Sequence, residues 1–530
     1  MGHSYTNGEL LMTQPRPQQP VKDITRRELA TFAGAIAALA GIARVRTGAG
    51  QTPEAAATIL EEFVIDLAGP PESIDPVLAY SAREWSIVHS IYDSPVGFSA
   101  DGSIEPLAAR SFTEVDDLTY EIVLREGLRF HDGSAVTSAA ISRAVAYMLE
   151  SESDPSSLFA GITEVIEVDD LTVRIVSAEP SPWLPAQLAV WLLLIPEGFS
   201  TDQAATNPVG SGPYRFEGQD QGDSITLVRN PEYDWGSPKG NPIAERVVYR
   251  FVPESATRVA DLSTGTSDLI TEIASDQLQA VREAGAVAVE LPIVGSAFIR
   301  IATDVEPFDN PMVRQALNYA VDVQTIADAL VSPESNRLAS LFPDERSMAF
   351  NPDLAPYPYD PERARTLLND AGVSEGTEVV LEVTTGSRID VAEAIAAQLS
   401  EAGFSITIKV SEYTDFNATW SERSAPALRM VTWRPLYDPH TLLGLVFAKD
   451  GFLSRYGNAD ADDLINAAAG EVDPGARSAL YRELSELMRD DAPAVYLWNL
   501  TSGYGVGEEA SHWQPRGDEY VIPTYIEEAP

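Results

Sequence analysis

The segment TWRPLYDPH gathers five side chains that could take part in chemistry within nine positions. They are Trp433, Arg434, Tyr437, Asp438 and His440. Trp433 offers a flat apolar surface, and Arg434 offers a guanidinium that can pair with a carboxylate or a phosphate. Such a segment suits an active site, one wall of a ligand-binding pocket, or a turn with Trp433 in the core and Asp438 capping backbone N–H groups.

Two further motifs are of the kind found in enzymes. Residues 131–133 (HDG) place an imidazole beside a carboxylate, but their position between a strand and a helix favours a turn. Residues 210–213 (GSGP) are not a nucleophile elbow, which needs G-x-S-x-G between a strand and a helix. Here a proline and a strand follow. The two glycines indicate instead a tight crossing of two chain segments.

Metal-ligand spacing is not found in the sequence. The five histidines are His3, His89, His131, His440 and His512, and none lies within five residues of another. No histidine or carboxylate pair has the usual ligand spacing, so we expect no metal site and no cofactor. A metal chelate that is bound through its chelating molecule remains an alternative ligand.

The charge balance excludes one class of partner. With 36 basic and 80 acidic residues the net charge is −44, and a nucleic-acid ligand requires basic groups to neutralise phosphates. The absence of cysteine excludes disulfides, thiol catalysis and a lipid-modified cysteine anchor. Nothing singles out two of the many carboxylates as a hydrolase pair. We therefore expect no catalytic residues, with an exported glycosidase as the enzyme alternative.

The N-terminus predicts export. Two consecutive arginines, Arg26 and Arg27, precede an apolar run over 30–43 that is too short for an ordinary membrane span. Small residues follow up to Ala49. This pattern predicts a twin-arginine-like export signal over 1–49 and an extracytoplasmic location, in a periplasm or at the outer face of the membrane. An ordinary secretory signal and an uncleaved anchor are the alternatives.

The remaining chain predicts alternating strands and helices. A proline follows the capping residue at Asn310 and again at Asp360, which is typical of helix starts. The strand TEVVLEVTTG, a helix and the strand FSITIKV together predict a parallel crossover. The front half is rich in strand patterns, whereas residues from about 300 to 490 predict an α/β lobe of their own.

Six segments, in this order, resemble the family 5 extracytoplasmic solute-binding proteins of ABC importers, the group of peptide, nickel and related binders. They are LREGLRFHDGSAVTSAAI (124–141), VGSGPYRF with DSITLVRNPEYDWG (209–236), ATRVADLSTGTSDLI (256–270), NPMVRQALNYAVD (310–322), YPYDPERARTLLNDAG (357–372) and YRELSELMRDDAPAVYLW (481–498). Together they run from residue 124 to residue 498, most of the chain after the signal.

The resemblance implies an α/β, two-lobed fold of the periplasmic-binding-protein type II, with an extra N-terminal subdomain. We expect the chain to pass between the lobes near 292–303 and 490–503. The expected parts are the export signal 1–49, a linker 50–57, lobe I in its first part 58–100, the extra subdomain 101–200, lobe I in its second part 201–297, lobe II 298–492, and a return to lobe I with a C-terminal tail 493–530.

The function implied is capture of an oligopeptide-like or other small polar solute between the lobes, and its delivery to the transmembrane subunits of an ABC permease. Closure requires only contacts that form when both lobes touch the ligand. We expect a monomer that binds no nucleic acid. A sensor with the same fold and a metal-chelate binder are the alternatives besides the glycosidase.

The resemblance also sets the candidate site. The family's W-x-A-D-Y-x-D-P-like segment falls at 432–440, and Trp433 and Tyr437 match it. Leu436 stands where peptide binders carry an acid that resembles an anchor for the ligand's α-amino group. The spacing W…YDPH also resembles nickel-type members. The candidate ligand-binding residues are Trp433, Arg434, Tyr437 and Asp438, with Tyr80 and Glu84 from the facing lobe and Trp183, Trp191 and Trp498 as weaker candidates. For Asp438 and His440 the structural interpretation is favoured.

Overall fold

The computed structural model describes residues 59–99, 102–151, 153–385, 387–420, 422–434, 437–511 and 513–525. These residues belong to one compact unit. The predicted export signal, the predicted linker and Leu436 lie outside the described residues. Each helix within the described ranges is too short or too polar to cross a membrane.

The helices of this part of the chain follow in sequence order. They are α1 (Ala82–Ile91), α2 (Ser138–Glu150), α3 (Leu184–Trp191), α4 (Thr201–Thr206), α5 (Ser255–Thr264), α6 (Leu278–Glu283), α7 (Pro311–Ala320), α8 (Val323–Ile326), α9 (Pro361–Asp370), α10 (Ile389–Ala402), α11 (Tyr413–Ala418), α12 (His440–Leu442), α13 (Ala459–Gly470) and α14 (Pro474–Asp491). Short π-helical turns, Ala327–Val331 and Leu443–Phe447, extend α8 and α12.

The strands are also given in sequence order. They are β1 (Leu60–Leu67), β2 (Val96–Phe98), β3 (Ile104–Pro106), β4 (Ala109–Asp116), β5 (Thr119–Leu124), β6 (Ile162–Glu167), β7 (Thr172–Ser177), β8 (Tyr214–Asp220), β9 (Ser224–Arg229), β10 (Asn241–Pro242), β11 (Ala244–Phe251), β12 (Leu269–Ile270), β13 (Val287–Ile301), β14 (Thr377–Thr384), β15 (Phe404–Ser411), β16 (Leu428–Trp433), β17 (Ala494–Val506) and β18 (Thr524–Tyr525).

Helix starts follow the sequence signals. The side chain of Asn310 accepts a hydrogen bond from the backbone N–H of Met312 at the start of α7. Asp360 does the same for α9. Both predicted helix starts are confirmed, because each side chain satisfies an N–H that has no partner inside the helix. Thr137 stands at the N-cap of α2, but its side chain makes no capping hydrogen bond.

One ten-stranded sheet runs through the whole unit in the order β15-β14-β16-β13-β17-β12-β1-β11-β9-β8. Its centre is the antiparallel pair of the two longest strands, β13 and β17. Their register breaks between Pro292 and Ser296, where each strand leaves one half of the sheet for the other. At one edge, β14 and β15 are parallel and α10 connects them, which confirms the predicted parallel crossover.

The buried apolar residues form separate cores on the two sides of this register break. We call lobe I the part built around the cores of residues 63–281 and 504–522, and lobe II the part built around the cores of residues 294–498. A separate antiparallel sheet, β4-β5-β7-β6, packs into lobe I. It lies inside the range expected for the extra subdomain, whose boundaries remain a prediction.

The predicted tight crossing at residues 210–213 is confirmed. A Cβ atom at Gly210 would lie 2.2 Å from the carbonyl oxygen of Ile91, and one at Gly212 would lie 2.7 Å from its carbonyl carbon. Backbone therefore touches backbone, which only glycine permits. His131 supports the crossing by accepting from the N–H of Gly210 and by lying 3.1 Å from the carbonyl oxygen of Gly212. The HDG motif is thus structural.

Candidate ligand-binding site

Trp433 lies where β16 ends at the boundary between the lobes. It stands opposite Ser296, immediately after the register break of β13. A Cβ atom at Gly295 would lie 3.0 Å from the carbonyl oxygen of Trp433 and 2.9 Å from Leu500, so three strands converge closely here. The Trp433 side chain is half-buried and packs against a core of lobe II. It is therefore held at this boundary by rigid elements.

Arg434 connects the two lobes by an ion pair. Its Nε atom lies 2.8 Å from Oε2 of Glu519, which belongs to the C-terminal part of lobe I. The Arg434 side chain is 36% exposed and that of Glu519 is 10% exposed. Burial raises the pKa of the Glu519 carboxyl, and the positive charge of Arg434 opposes that rise. Glu519 also has a left-handed backbone, with φ of 65°.

Tyr437 makes a second contact between the lobes. Its ring centroid lies 4.5 Å from that of Phe98 in β2. The side chain is buried, and burial raises the pKa of its phenol well above the usual range. A Cβ atom at Gly517 would lie 3.2 Å from the Tyr437 hydroxyl, which places this tyrosine against the C-terminal segment of lobe I.

Asp438 has partners within lobe II. Both of its oxygens accept from the buried guanidinium of Arg477, at 2.7 and 3.1 Å. Its Oδ1 also accepts from the backbone N–H of His440 at 2.8 Å. These bonds fix the turn between β16 and α12, as the structural interpretation of Asp438 expects, and they occupy the carboxylate.

His440 packs on lobe I. Its ring stacks on Trp183 with centroids 4.4 Å apart and planes 20° apart. Next to it, the side-chain amide of Gln187 donates to the hydroxyl of Thr441 at 2.6 Å. Burial lowers the pKa of His440 to about 4, and the opposing effect of Asp438 is smaller. The imidazole is therefore neutral at physiological pH.

The lobe I candidates divide into two kinds. Tyr80 is 37% exposed, and its ring lies 5.9 Å from that of Trp191. Trp191 in turn meets Trp85 edge-on at 5.5 Å. These three rings form an aromatic surface. Glu84 is different, because its buried carboxylate accepts from backbone N–H groups at the start of α1.

The hydrogen bonds of Glu84 are those of a helix cap. Its oxygens accept from the N–H groups of Glu72, Tyr80 and Ser81 at 2.6 to 2.8 Å, and Ser81 caps the helix in return. This reciprocal arrangement is a capping box. Ligand contact by Glu84 therefore remains a prediction without support from its surroundings. Trp498 is likewise buried, within a core of lobe II.

The segment 516–520 (RGDEY) is not among the residues predicted from the sequence. The ring of Tyr520 lies 5.5 Å from Trp85 and stacks on His89 at 4.9 Å. Arg516 donates to Asp518 at 2.9 Å. Through Glu519 and Gly517 the same segment reaches Arg434 and Tyr437, so it lies between the aromatic surfaces of the two lobes. The charged residues clustered around Gly517, directly after Pro515, are the sequence feature that could have indicated this segment.

Charge at this boundary is balanced in pairs. Besides the pair of Arg434 and Glu519, Arg346 donates to Asp344 at 2.6 and 2.9 Å, and Arg516 donates to Asp518. The Arg346 and Arg516 side chains are 23% and 33% exposed. Both signs of charge are thus available to a ligand. Among the residues described, no group of three or more His, Asp or Glu side chains is placed to hold a metal ion.

A protein with two lobes on one shared sheet, and with aromatic and charged side chains where the lobes meet, has the architecture of a solute receptor. Comparison with known proteins agrees. The profile of the bacterial extracellular solute-binding proteins, family 5 (middle region), matches residues 103–454. The chain therefore belongs to family 5 of the extracellular solute-binding proteins, as the resemblance indicated.

Individual relatives match more than four-fifths of the chain. The glutathione-binding protein GsiB of Pectobacterium atrosepticum is 27% identical over 475 residues, which are 82% of this chain and 88% of the relative. Heme-binding protein A of Haemophilus influenzae is 26% identical over 83% of this chain and 88% of its own length. The structure of the periplasmic binding protein DppA from Helicobacter pylori with the peptide STSA superposes with a TM-score of 0.78, at 23% identity, over 89% of this chain and 99% of that chain.

These comparisons confirm the two-lobed type II fold and the class of function. Members of the family bind small ligands or peptides outside the cytoplasm, deliver them to ABC permeases and are not enzymes.

Proposed function

We propose that this protein captures a peptide-like or other small zwitterionic solute between its lobes, outside the cytoplasm, and delivers it unchanged to an ABC permease. The observation that carries the proposal is the ion pair of Arg434 with Glu519 at the lobe boundary, flanked by aromatic rings from both sides. A guanidinium that is one-third exposed can exchange Glu519 for a ligand carboxylate without a large loss of charge pairing.

The charges favour a solute that carries both signs. A ligand carboxylate would meet Arg434, and the carboxylate of Glu519, once released, could receive the ligand's amino group. This arrangement would replace the acid that peptide binders carry at the position of Leu436. Peptides and glutathione have both groups, which agrees with two of the relatives named above. Trp433 would cover the apolar part of the ligand.

The aromatic surface of lobe I would form the opposite wall. Tyr80 and Trp191 are its more accessible members, and Trp85 supports them. Closure is supported by contacts that already join the lobes, namely the pairs of Phe98 with Tyr437 and of Trp183 with His440. A ligand that touches both walls would stabilise the closed arrangement by its additional contacts.

The proposal includes no chemical conversion of the solute. Asp438 and Glu84 are engaged in structural hydrogen bonds, and the imidazoles of His131 and His440 are packed in turns and against Trp183. We further propose that the protein acts as a monomer, binds no nucleic acid and is exported through residues 1–49. N-terminal sequencing of the exported protein would test the last point by locating the cleavage.

A thermal-shift screen tests the proposal. Peptides, amino-acid conjugates, sugars and metal chelates are added separately, and the recovered solute is analysed for conversion. We expect a zwitterionic peptide or conjugate to raise the unfolding temperature and to be recovered unchanged. Stabilisation by sugars or by metal chelates alone would contradict the proposed ligand class, and turnover of a solute would contradict the function itself.

A further inference from the structure

Arg300 is buried in lobe II without a counter-ion of its own. It belongs to β13 and is 1% exposed. Its Nε, Nη1 and Nη2 atoms have no hydrogen-bond partner among the residues that the structure describes. Burial lowers its pKa to about 9, which still leaves the group charged at neutral pH. A charged group with no partner in the interior is strongly unfavourable, so an unidentified partner is expected.

The neighbouring strands cannot supply that partner. Arg300 faces Arg429 directly across β13 and β16, and Arg429 faces Glu382 across β16 and β14. The carboxylate of Glu382 is already shared between Arg429 at 2.6 Å and Lys409 at 2.7 Å. The remaining donors of Arg429 go to the carbonyl oxygen of Phe416 and to a hydroxyl. Two guanidinium groups therefore stand side by side with one buried carboxylate.

A third arginine adds to the positive charge. Arg455, buried beside this row, pairs with Asp304 at 2.8 Å and donates to the carbonyl oxygens of residues 422 and 425. The charges of Arg429 and Arg455 both disfavour the charged form of Arg300, whereas Asp304 and Glu382 favour it. Three buried arginines thus face two carboxylates, which also pair with the more exposed Lys409 and Arg423, so positive charge exceeds negative charge around Arg300.

A second polar group points to the kind of ligand. The guanidinium carbon of Arg300 lies 5.9 Å from the ring of Trp420, which is 5% exposed. The indole Nε1 of Trp420 also has no hydrogen-bond partner among the described residues. Arg300 and Trp420 are donors only, so a hydrogen-bond partner of either group must be an acceptor.

We propose that Arg300 and Trp420 bind a small monovalent inorganic anion, such as chloride, inside lobe II. An anion would offset this excess of positive charge and accept from the unpartnered donors of Arg300 and Trp420. The site is separate from the lobe boundary, and the inference does not depend on the transported solute.

Thermal unfolding in sodium chloride and in sodium gluconate, at equal sodium concentration, tests this inference. Equal sodium is required because any salt screens the repulsion within a chain of net charge −44. We expect the unfolding temperature to be about 1–3 °C higher in chloride, because binding to the folded state alone stabilises it. Equal unfolding temperatures in the two salts would overturn the proposal.

Two variants locate the effect. Arg300→Met removes the charge and should abolish the difference between the two salts. Arg423→Gln is the matched control, because Arg423 also pairs with Asp304 but its side chain is 83% exposed. This variant should retain the difference between the two salts. If Arg300→Met retained the difference, or if Arg423→Gln lost it equally, the proposal would fail.

Bromide provides a test that does not depend on the folding of a variant. Crystals of the wild-type protein grown in bromide should show an anomalous scattering peak between Arg300 and Trp420. Peaks confined to the protein surface would overturn the assignment and would indicate adventitious ions only.

Discussion

At the scale of single residues, the segment TWRPLYDPH separates into two roles. Trp433 and Arg434 stand at the lobe boundary, whereas Asp438 and His440 hold the turn that follows. Their contacts explain the difference. Asp438 accepts hydrogen bonds from Arg477 and from the backbone of His440, and His440 stacks on Trp183. Arg434 has a partly exposed ion pair with Glu519, which a ligand carboxylate could replace. The predictions at this scale distinguish pocket residues from structural ones.

Trp433→Ala should weaken binding of the solute identified by the screen about tenfold, since a flat contact surface is lost. Melting of the empty protein should change little. The matched control is Trp498→Ala, which empties a buried core position and should lower the free energy of unfolding by about 3–5 kcal/mol. Isothermal titration and denaturant unfolding measure the two quantities. Destabilisation by Trp433→Ala as large as that of the control, with affinity intact, would assign Trp433 to the core.

Arg434→Gln should also lower affinity about tenfold while leaving stability nearly unchanged, because its ion pair is partly exposed. Asp438→Asn breaks the buried pair with Arg477 and should cost about 3–5 kcal/mol of stability with a smaller effect on affinity. The same two measurements apply. The opposite pattern, with Asp438 controlling affinity and Arg434 controlling stability, would contradict the assignment.

The residue scale also marks what sequence patterns can and cannot predict. Trp433 and Arg434 could be predicted as candidates because their types and spacing are visible along the chain. The partner Glu519 was missed because it meets Arg434 only through the return of the chain to lobe I. Glutamate rarely adopts a left-handed backbone, so the residue type gave no indication of the conformation of Glu519.

At the scale of elements, local signals were sufficient where a single turn decides the structure. Asn310 and Asp360 predicted two helix starts, and residues 377–411 predicted a parallel crossover. The positions of buried faces were less certain. The spacing of Ile141, Ala144, Val145, Met148 and Leu149 predicts one buried face of α2, but Leu149, in the last turn of the helix, is 39% exposed.

Glycine at the crossing of residues 210–213 with α1 gives a test at this scale. Gly210→Ala should destabilise the protein by about 1–3 kcal/mol, because the new Cβ would overlap the carbonyl oxygen of Ile91. Gly218→Ala in β8 is the control, since no atom of the described residues lies within 4 Å of the position that its new Cβ would take. Denaturant unfolding measures both. Equal stability of the two variants would show that the crossing can relax.

At the scale of the whole molecule, closure of the lobes should depend on pH. His440 has a pKa of about 4 against Trp183 and would return towards its ordinary value near 6.5 once the lobes separate. The open form therefore binds more protons between pH 6.5 and 4. Closure is fully favoured above about pH 6.5 and is weakened as the pH falls towards 4.

Affinity for the solute should fall between pH 7 and pH 5 in the wild-type protein, and the fall should be smaller in His440→Phe, which keeps an aromatic ring but cannot be protonated. Titration calorimetry at the two pH values measures this. Asp438 and Arg477 face the imidazole and are unchanged in the variant. A difference in pH dependence between the two proteins therefore reports on His440 itself. An equal fall in both proteins would show that His440 does not sense closure.

The central claim is that a small zwitterionic solute binds between the two lobes and leaves unchanged. Native mass spectrometry of the freshly purified protein tests it most directly. We predict a population heavier than the empty protein by the mass of one peptide or amino-acid conjugate, released intact on denaturation and depleted in Arg434→Gln. Release of a hydrolysis product, or a bound solute of equal occupancy in Arg434→Gln, would contradict the account.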